Sequence, residues 1–153
     1  MKAHGIEVIT RGVCIVEGCV LLCHGRGHDN TYLPGGHIEV GESAASALAR
    51  EIKEELGVAA STGRFLGAVE NQFVQKGRPV HEINLLFRLE IPGLKPGTEI
   101  PVAEEWLDFR WAPLESLADA NLQPQVVRDV VTDHAADAGG VGWGSSYPSD
   151  RGC

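Results

Sequence analysis

An α/β or α+β layered domain is predicted by three features of the sequence: two hairpin signals, two substantial helices, and strand-like runs interleaved with them. "GVCIVEGCVLLCHG" (residues 12–25) carries two apolar runs around Glu17-Gly18, a hairpin pattern. "GRGHDN" (residues 25–30) is a polar, Gly-rich loop, and "TYLPGG" a short β-rich run stopped by Pro34 and two glycines. Residues 43–56 read as a helix with Ser43 as N-cap and Gly57 as its stop. Ala45, Leu48, Ala49, Ile52 and Leu56 fall on one side of its wheel, the expected core stripe. "RFLGAVENQFV" and "HEINLLFRLEI" are strands joined by "QKGRP", a second hairpin. "IPGLKPGTEIPVAEE" reads as loop and "WLDFRWAPL" as a further strand. "QPQVVRDVVTDHAADA" is a closing helix that Pro124 can start.

These elements define one domain over residues 1–136, followed by a Gly/Ser-rich tail over 137–153. The plain expectation for that tail is a flexible segment; Trp143 and Tyr147 are the residues able to anchor it. At 153 residues the chain is long enough for a core without staples. A net charge of −8 argues against non-specific nucleic-acid or anionic-membrane binding, which need a basic surface. It does not forbid a phosphorylated substrate, because a divalent cation inverts the local sign. The first residues, "MKAHGIEVITRG", hold no apolar segment of the signal-peptide kind, and no run approaches a membrane span, so the expected location is cytoplasmic. Cys14, Cys19, Cys23 and Cys153 lack zinc-type spacing, and the first three, set among Val, Ile and Leu, read as reduced core thiols.

One stretch breaks local rules. In "REIKEELG" (residues 50–57) Glu51, Glu54 and Glu55 crowd one helix face, and like charges at those spacings cost about 0.2–0.5 kcal/mol per pair. Glu54 and Glu55 also lie in the last turn, at the negative end of the helix dipole, a further loss of about 0.3–1 kcal/mol each. Arg50 can pair with Glu54 but cannot offset all of this. Ala44 and Ala47 lie on the same side, leaving room for an approaching group. Clustered carboxylates without Cys or His suit a hard cation, Mg²⁺ or Mn²⁺, whereas a solvated acidic face is the alternative for an isolated E-x-x-E-E. The run "LPGGHIEVGE" ahead of the helix adds Glu42 at its entry and the glycines Gly35 and Gly36, whose backbone can approach a ligand closely. A Gly35 carbonyl is then a further oxygen donor.

Gly36, Glu42, Arg50, Glu51, Ile52, Glu54, Glu55, Gly57 and Val58 fill every specified place of G-x5-E-x7-R-E-U-x-E-E-x-G-U, with U a bulky aliphatic. The chain therefore resembles the Nudix hydrolases, in the box itself and in strand–loop–helix order across residues 5–136. The resemblance implies an α/β/α sandwich with a mixed sheet and Mg²⁺- or Mn²⁺-dependent hydrolysis of a nucleoside diphosphate linked to another moiety. It further implies Glu54 and Glu55 as principal metal ligands, with Glu51 a ligand or the group positioning water. Gly35 would give its carbonyl to the metal, Glu42 would support the metal's water shell, and Arg50 would orient the carboxylates. The general base would be a box glutamate or a loop acid; Glu99, Glu104 and Glu105 precede the "WLDFRW" strand, Glu105 being preferred, with His81 and Glu82 as further candidates. Arg26, Lys76 and Arg78 are loop cations able to meet phosphate, Arg26 and Arg78 foremost; Phe73, Phe87 and Trp106 could stack a base but suit core packing better.

Two other readings share the fold. A catalytically silent domain that senses a nucleotide would commonly lack box acids, and all are present here. The isoprenoid isomerase branch would need a catalytic cysteine, and none matches outside the first hairpin. Dimerisation is common in the family, and the apolar tail offers a surface.

Overall fold

Residues 5–138 and 140–148 are described in the computed structural model; Cys153 lies outside them. The first apolar run does not stay in one sheet. β1 (Glu7–Val13) ends at Cys14, and β2 (Ile15–Val16) pairs instead with β3 (Cys19–Gly25). Glu17 and Gly18, at φ 51° and 73°, form the tight turn between them. β3 pairs along its length with β7 (Leu107–Pro113), closing a three-stranded sheet β2-β3-β7.

The larger sheet has the order β4-β1-β6-β5-β8. It joins β4 (Gly35–His37), β5 (Ser61–Gln75), β6 (Arg78–Glu90) and β8 (Gly142–Ser145) to β1. β1/β6 and β5/β8 are parallel while β1/β4 and β5/β6 are antiparallel, so the sheet is mixed. The β5–β6 turn is only Lys76-Gly77, at φ 50° and 75°. Gln75, Arg78 and Pro79, expected in the loop, therefore belong to the strands. "TYLPGG" also departs from expectation: Thr31 and Tyr32 make only isolated bridges, and the strand begins at Gly35. Gly35 and Gly36 do not stop that strand but form it, along the edge of β1.

α1 (Ala44–Leu56) and α2 (Val127–Ala135) cover opposite sides. Successive residues of β3 point to opposite faces, and the core divides accordingly. Val20 and Leu22 join α2's Val127, Val130 and Val131, whereas Leu21 joins α1's Leu48, Ile52 and Leu56. Fully burying each of these aliphatics stabilises by about 1.5–3 kcal/mol. The molecule is thus an α/β/α arrangement around mixed strands. Pro124 stands ahead of α2 rather than in its first turn; its carbonyl accepts from Val127 N–H at 3.0 Å. Part of the Gly/Ser-rich segment is ordered on the sheet as β8, and the Tyr147 ring packs on His81 at 5.0 Å, while Trp143 stays 64% exposed. Among the described residues no helix is long and apolar enough to cross a membrane.

Candidate active site

α1 is fixed at both ends. Ser43 Oγ accepts from Ser46 N–H at 3.1 Å, and Gly57, at φ 73°, donates to the Lys53 carbonyl at 2.9 Å. Lys53 Nζ also donates to the Gly57 carbonyl at 3.1 Å, bringing a cation to the acid-rich last turn. The core stripe holds at Leu48, Ile52 and Leu56, but Ala45 is exposed and Ala49 only half-buried. Ala47 and Glu55 are buried in their place, so the helix turns its small-and-acidic side toward the sheet. It can do so because the facing edge strand is glycine. A Cβ on Gly36 would stand 2.4 Å from the Glu51 carboxyl carbon, and one on Gly35, at φ 138°, would stand 2.0 Å from the Thr10 carbonyl oxygen.

Arg50 gathers three of the acids. Its Nε and Nη2 donate to the two oxygens of Glu42 at 3.1 and 2.7 Å, and its Nη1 to Glu51 at 3.1 Å and Glu54 at 3.3 Å. Nη2 also reaches the His37 carbonyl at 3.0 Å, tying β4 to the helix. The guanidinium beside Glu42, together with the Glu39 N–H, holds that carboxyl below its usual range. Arg50 itself is pushed further into its charged form, chiefly by Glu42.

Glu55 stands apart from that clamp. It is 7% exposed, and its Oε2 has no hydrogen-bond partner among the described residues. Burial raises its carboxyl to about 8, helped by the charges of Glu51 and Glu104 and opposed by Arg11 and the Gly35 N–H. Glu51, Glu54, Glu55 and the Gly35 carbonyl offer oxygen donors only, the set that suits a hard divalent cation. A buried carboxylate oxygen without a partner is an observation such a cation would explain. Among the described residues no three His, Cys, Asp or Glu side chains already converge as a coordination set. Arg50 holds Glu51 and Glu54, and a cation would have to compete for them.

The loop acids separate. Glu104 is half-buried, and its N–H and that of Ala103 approach the Glu55 carbonyl at 3.4 and 2.8 Å. Glu105, the preferred candidate, and Glu99 are exposed and make no side-chain hydrogen bond among the described residues. Glu82 is buried at 7% and accepts from Asn71 at 3.2 Å and Asn84 at 3.0 Å, while His81 lies 3.9 Å from Glu70. Arg26 pairs with Asp108 at 3.3 Å. Arg78 lines an open groove along the β5–β6 hairpin with Lys76, Phe73, His81 and Tyr147. Phe87 packs on Phe65 at 5.4 Å, and Trp106 is 61% exposed just after Glu104 and Glu105. The residue that sequence reading missed is Arg11, whose charge acts on Glu55 and whose Nη1 donates to the Gly35 carbonyl at 3.3 Å. Its signal was a cation inside the short strand "EVITRGV", beside the apolar Val8, Ile9 and Val13.

The sequence and the fold have counterparts. A Mycobacterium tuberculosis protein described as mutator protein MutT4 is 37% identical over 87 residues, covering 56% of this chain and 33% of its own length. The isopentenyl-diphosphate Delta-isomerase of Cereibacter sphaeroides is 30% identical over 128 residues, covering 77% of this chain and 71% of the isomerase. The chain spans about a third of the length of the first curated relatives it matches. A NUDIX hydrolase from Nitrosomonas europaea superposes with a TM-score of 0.66 over 87% of this chain and 90% of that one, and at 19% identity it speaks for the fold. The NUDIX domain family itself matches residues 8–132, from β1 through most of α2 and across every acid of the box, and the chain belongs to that family.

Proposed function

We propose that the chain is a Mg²⁺- or Mn²⁺-dependent pyrophosphohydrolase acting on a nucleoside diphosphate linked to another moiety. The observation that carries this reading is Glu55: a buried carboxylate, raised to about 8 and with one oxygen unpartnered, beside Glu51 and Gly35. In this reading Glu51, Glu54, Glu55 and the Gly35 carbonyl hold the cation. When bound, the ion neutralises phosphoryl oxygens and lowers the pKa of water at the site. Arg50 keeps Glu51 and Glu54 oriented and stays off the substrate, its hydrogen bonds being directed to protein oxygens. Glu42 acts through Arg50. Water attacks one phosphorus, the bridging P–O bond breaks with its oxygen and electron pair leaving on the other phosphate, and the attacking water's proton passes to a carboxylate acting as base. Glu104, held by its backbone beside Glu55, suits that task better than the exposed Glu105. Positioning and charge stabilisation are most of what phosphoryl transfer asks of a protein. Among the described residues Cys14, Cys19 and Cys23 form no disulfide, which suits the cytoplasm as the proposed location.

A second reading rests on the isomerase likeness, with a prenyl diphosphate as substrate and proton transfer at carbon. The Cys23 thiol lies near enough to Glu55 to feel its charge, and burial pushes it up to about 12, so it stays protonated. One screen separates the readings. Nucleoside triphosphates, ADP-ribose, nucleotide sugars, dinucleoside polyphosphates and coenzyme A are assayed for cleavage, and isopentenyl diphosphate for deuterium uptake from D₂O. Cleavage that requires added Mg²⁺ or Mn²⁺ supports hydrolysis. Deuterium uptake alone supports the isomerase, and nucleotide binding without turnover supports a silent sensor.

A further inference from the structure

We infer that Arg11 binds a non-bridging phosphoryl oxygen of the substrate, forming an anion subsite beside Glu55; this rests on the diphosphate reading above. Arg11 is half-buried in β1. Its Nη1 donates to the Leu33 carbonyl at 3.0 Å and the Gly35 carbonyl at 3.3 Å, and its Nε to Asn84 Oδ1 at 3.4 Å. The guanidinium lies over the Tyr32 ring, 5.2 Å from its centre.

All these partners are neutral. Among the described residues no carboxylate comes within ion-pair distance of Arg11, although the chain carries a net charge of −8. A half-buried guanidinium set against carbonyls and a ring has no ion-pair partner among the described residues, and an arriving anion would supply one. Its Nη2 donates to no described group, so one edge of the fork is free.

A buried network aims it. Asn84, 1% exposed, donates its Nδ2 to Glu82 Oε1 at 3.0 Å, which fixes its Oδ1 toward Arg11. Asn71 donates to the same Glu82 oxygen at 3.2 Å and holds the carboxylate in turn. Glu82 is itself 7% exposed. Two strands, β5 and β6, thus give polar residues, Glu82 and Asn84 buried and Asn71 half-buried, to orient one cation on the neighbouring β1. Such a network is costly unless every member is satisfied, and here the member left with spare capacity is the guanidinium. Of the two cations that the sequence favoured for this task, Arg26 is already engaged by Asp108, and Arg78 lines the groove along the β5–β6 hairpin.

The test compares the full chain with Arg11→Lys and Arg11→Met, by calorimetric titration with inorganic pyrophosphate in the presence of Mg²⁺ and by steady-state hydrolysis of whichever nucleotide the screen finds. Losing a charge-assisted fork predicts pyrophosphate binding weakened about tenfold in Arg11→Lys and up to about a hundredfold in Arg11→Met. KM should rise by similar factors, with kcat changing less. A merely structural Arg11 would lower the melting temperature and kcat while leaving pyrophosphate affinity alone. If Arg11→Met fails to fold, Arg11→Lys decides. Unchanged affinity in a folded variant overturns the inference. Arg11-dependent pyrophosphate binding in a chain that hydrolyses nothing would sink the function reading and leave this subsite standing.

Discussion

Glu55 and Glu42 respond oppositely to pH. Glu42 is held below its ordinary range by the guanidinium, whereas burial raises Glu55 from 4.5 to about 8. A carboxyl raised in the fold adds stability while it can stay protonated, fully below about 4.5, and that contribution is lost as pH rises through about 8. Every tenfold change in a group's proton affinity between the folded and unfolded chain is worth about 1.4 kcal/mol. In chelator, thermal unfolding across pH 5 to 9 should therefore show a loss of stability on the alkaline side that Glu55→Gln largely removes. Added Mg²⁺ should stabilise the parent protein at pH 8 and Glu55→Gln much less. Parallel pH profiles for the two proteins would refute the assignment of Glu55. Arg50→Ala should release Glu42, Glu51 and Glu54 together and lower kcat at least a hundredfold. Arg50→Lys should recover little, since a lysine cannot reproduce the fork that spans three carboxylates and the His37 carbonyl.

For the acidic helix, the arrangement depends on what faces it. The Ser43 cap and the Gly57 stop stand where the sequence puts them, because both are set by spacing along one helix. They did not give the helix's rotation about its axis. Ala45 is exposed and Glu55 buried because β4 presents Gly35 and Gly36, and that neighbour comes from tertiary pairing with β1. Nor could helix spacing show that Arg50 bonds Glu42 eight residues earlier as well as Glu54 four residues later. Gly36→Ala puts a methyl where the Glu51 carboxyl lies, so activity should fall at least tenfold with the fold retained. Gly5→Ala, where an added Cβ meets nothing within 4 Å among the described residues, is the control and should leave kcat/KM unchanged. Ser43→Ala should lower stability by about 1 kcal/mol, read by urea unfolding, through loss of the N-cap.

Across the whole molecule, two sheets and two helices meet so that residues distant in sequence gather around Glu55 on α1: Arg11 on β1, Gly35 on β4 and Glu104 ahead of β7. The α/β class and the long β5–β6 hairpin were legible, because period-two patterning and turn residues are local signals. The break at Cys14, which sends one apolar run into two sheets, was not legible, since Val and Ile suit either sheet equally. The strand in the Gly/Ser-rich segment was hidden for a related reason. Its glycines are there for close approach: a Cβ on Gly144 would stand 2.9 Å from Val126, and one on Gly142 would stand 2.9 Å from Val130. Gly144→Val should therefore destabilise the chain by about 1–3 kcal/mol and speed hydrogen exchange along β5, the cost of overpacking. The central claim is that oxygen donors around Glu55 hold a divalent ion that the chain needs to cleave a diphosphate. The most direct measurement is the cleavage rate of the nucleotide panel by the parent chain and by Glu55→Gln, each with and without Mg²⁺ or Mn²⁺. The account predicts turnover only in the parent chain with metal, and equal turnover in all four conditions, or in Glu55→Gln as in the parent, would contradict it.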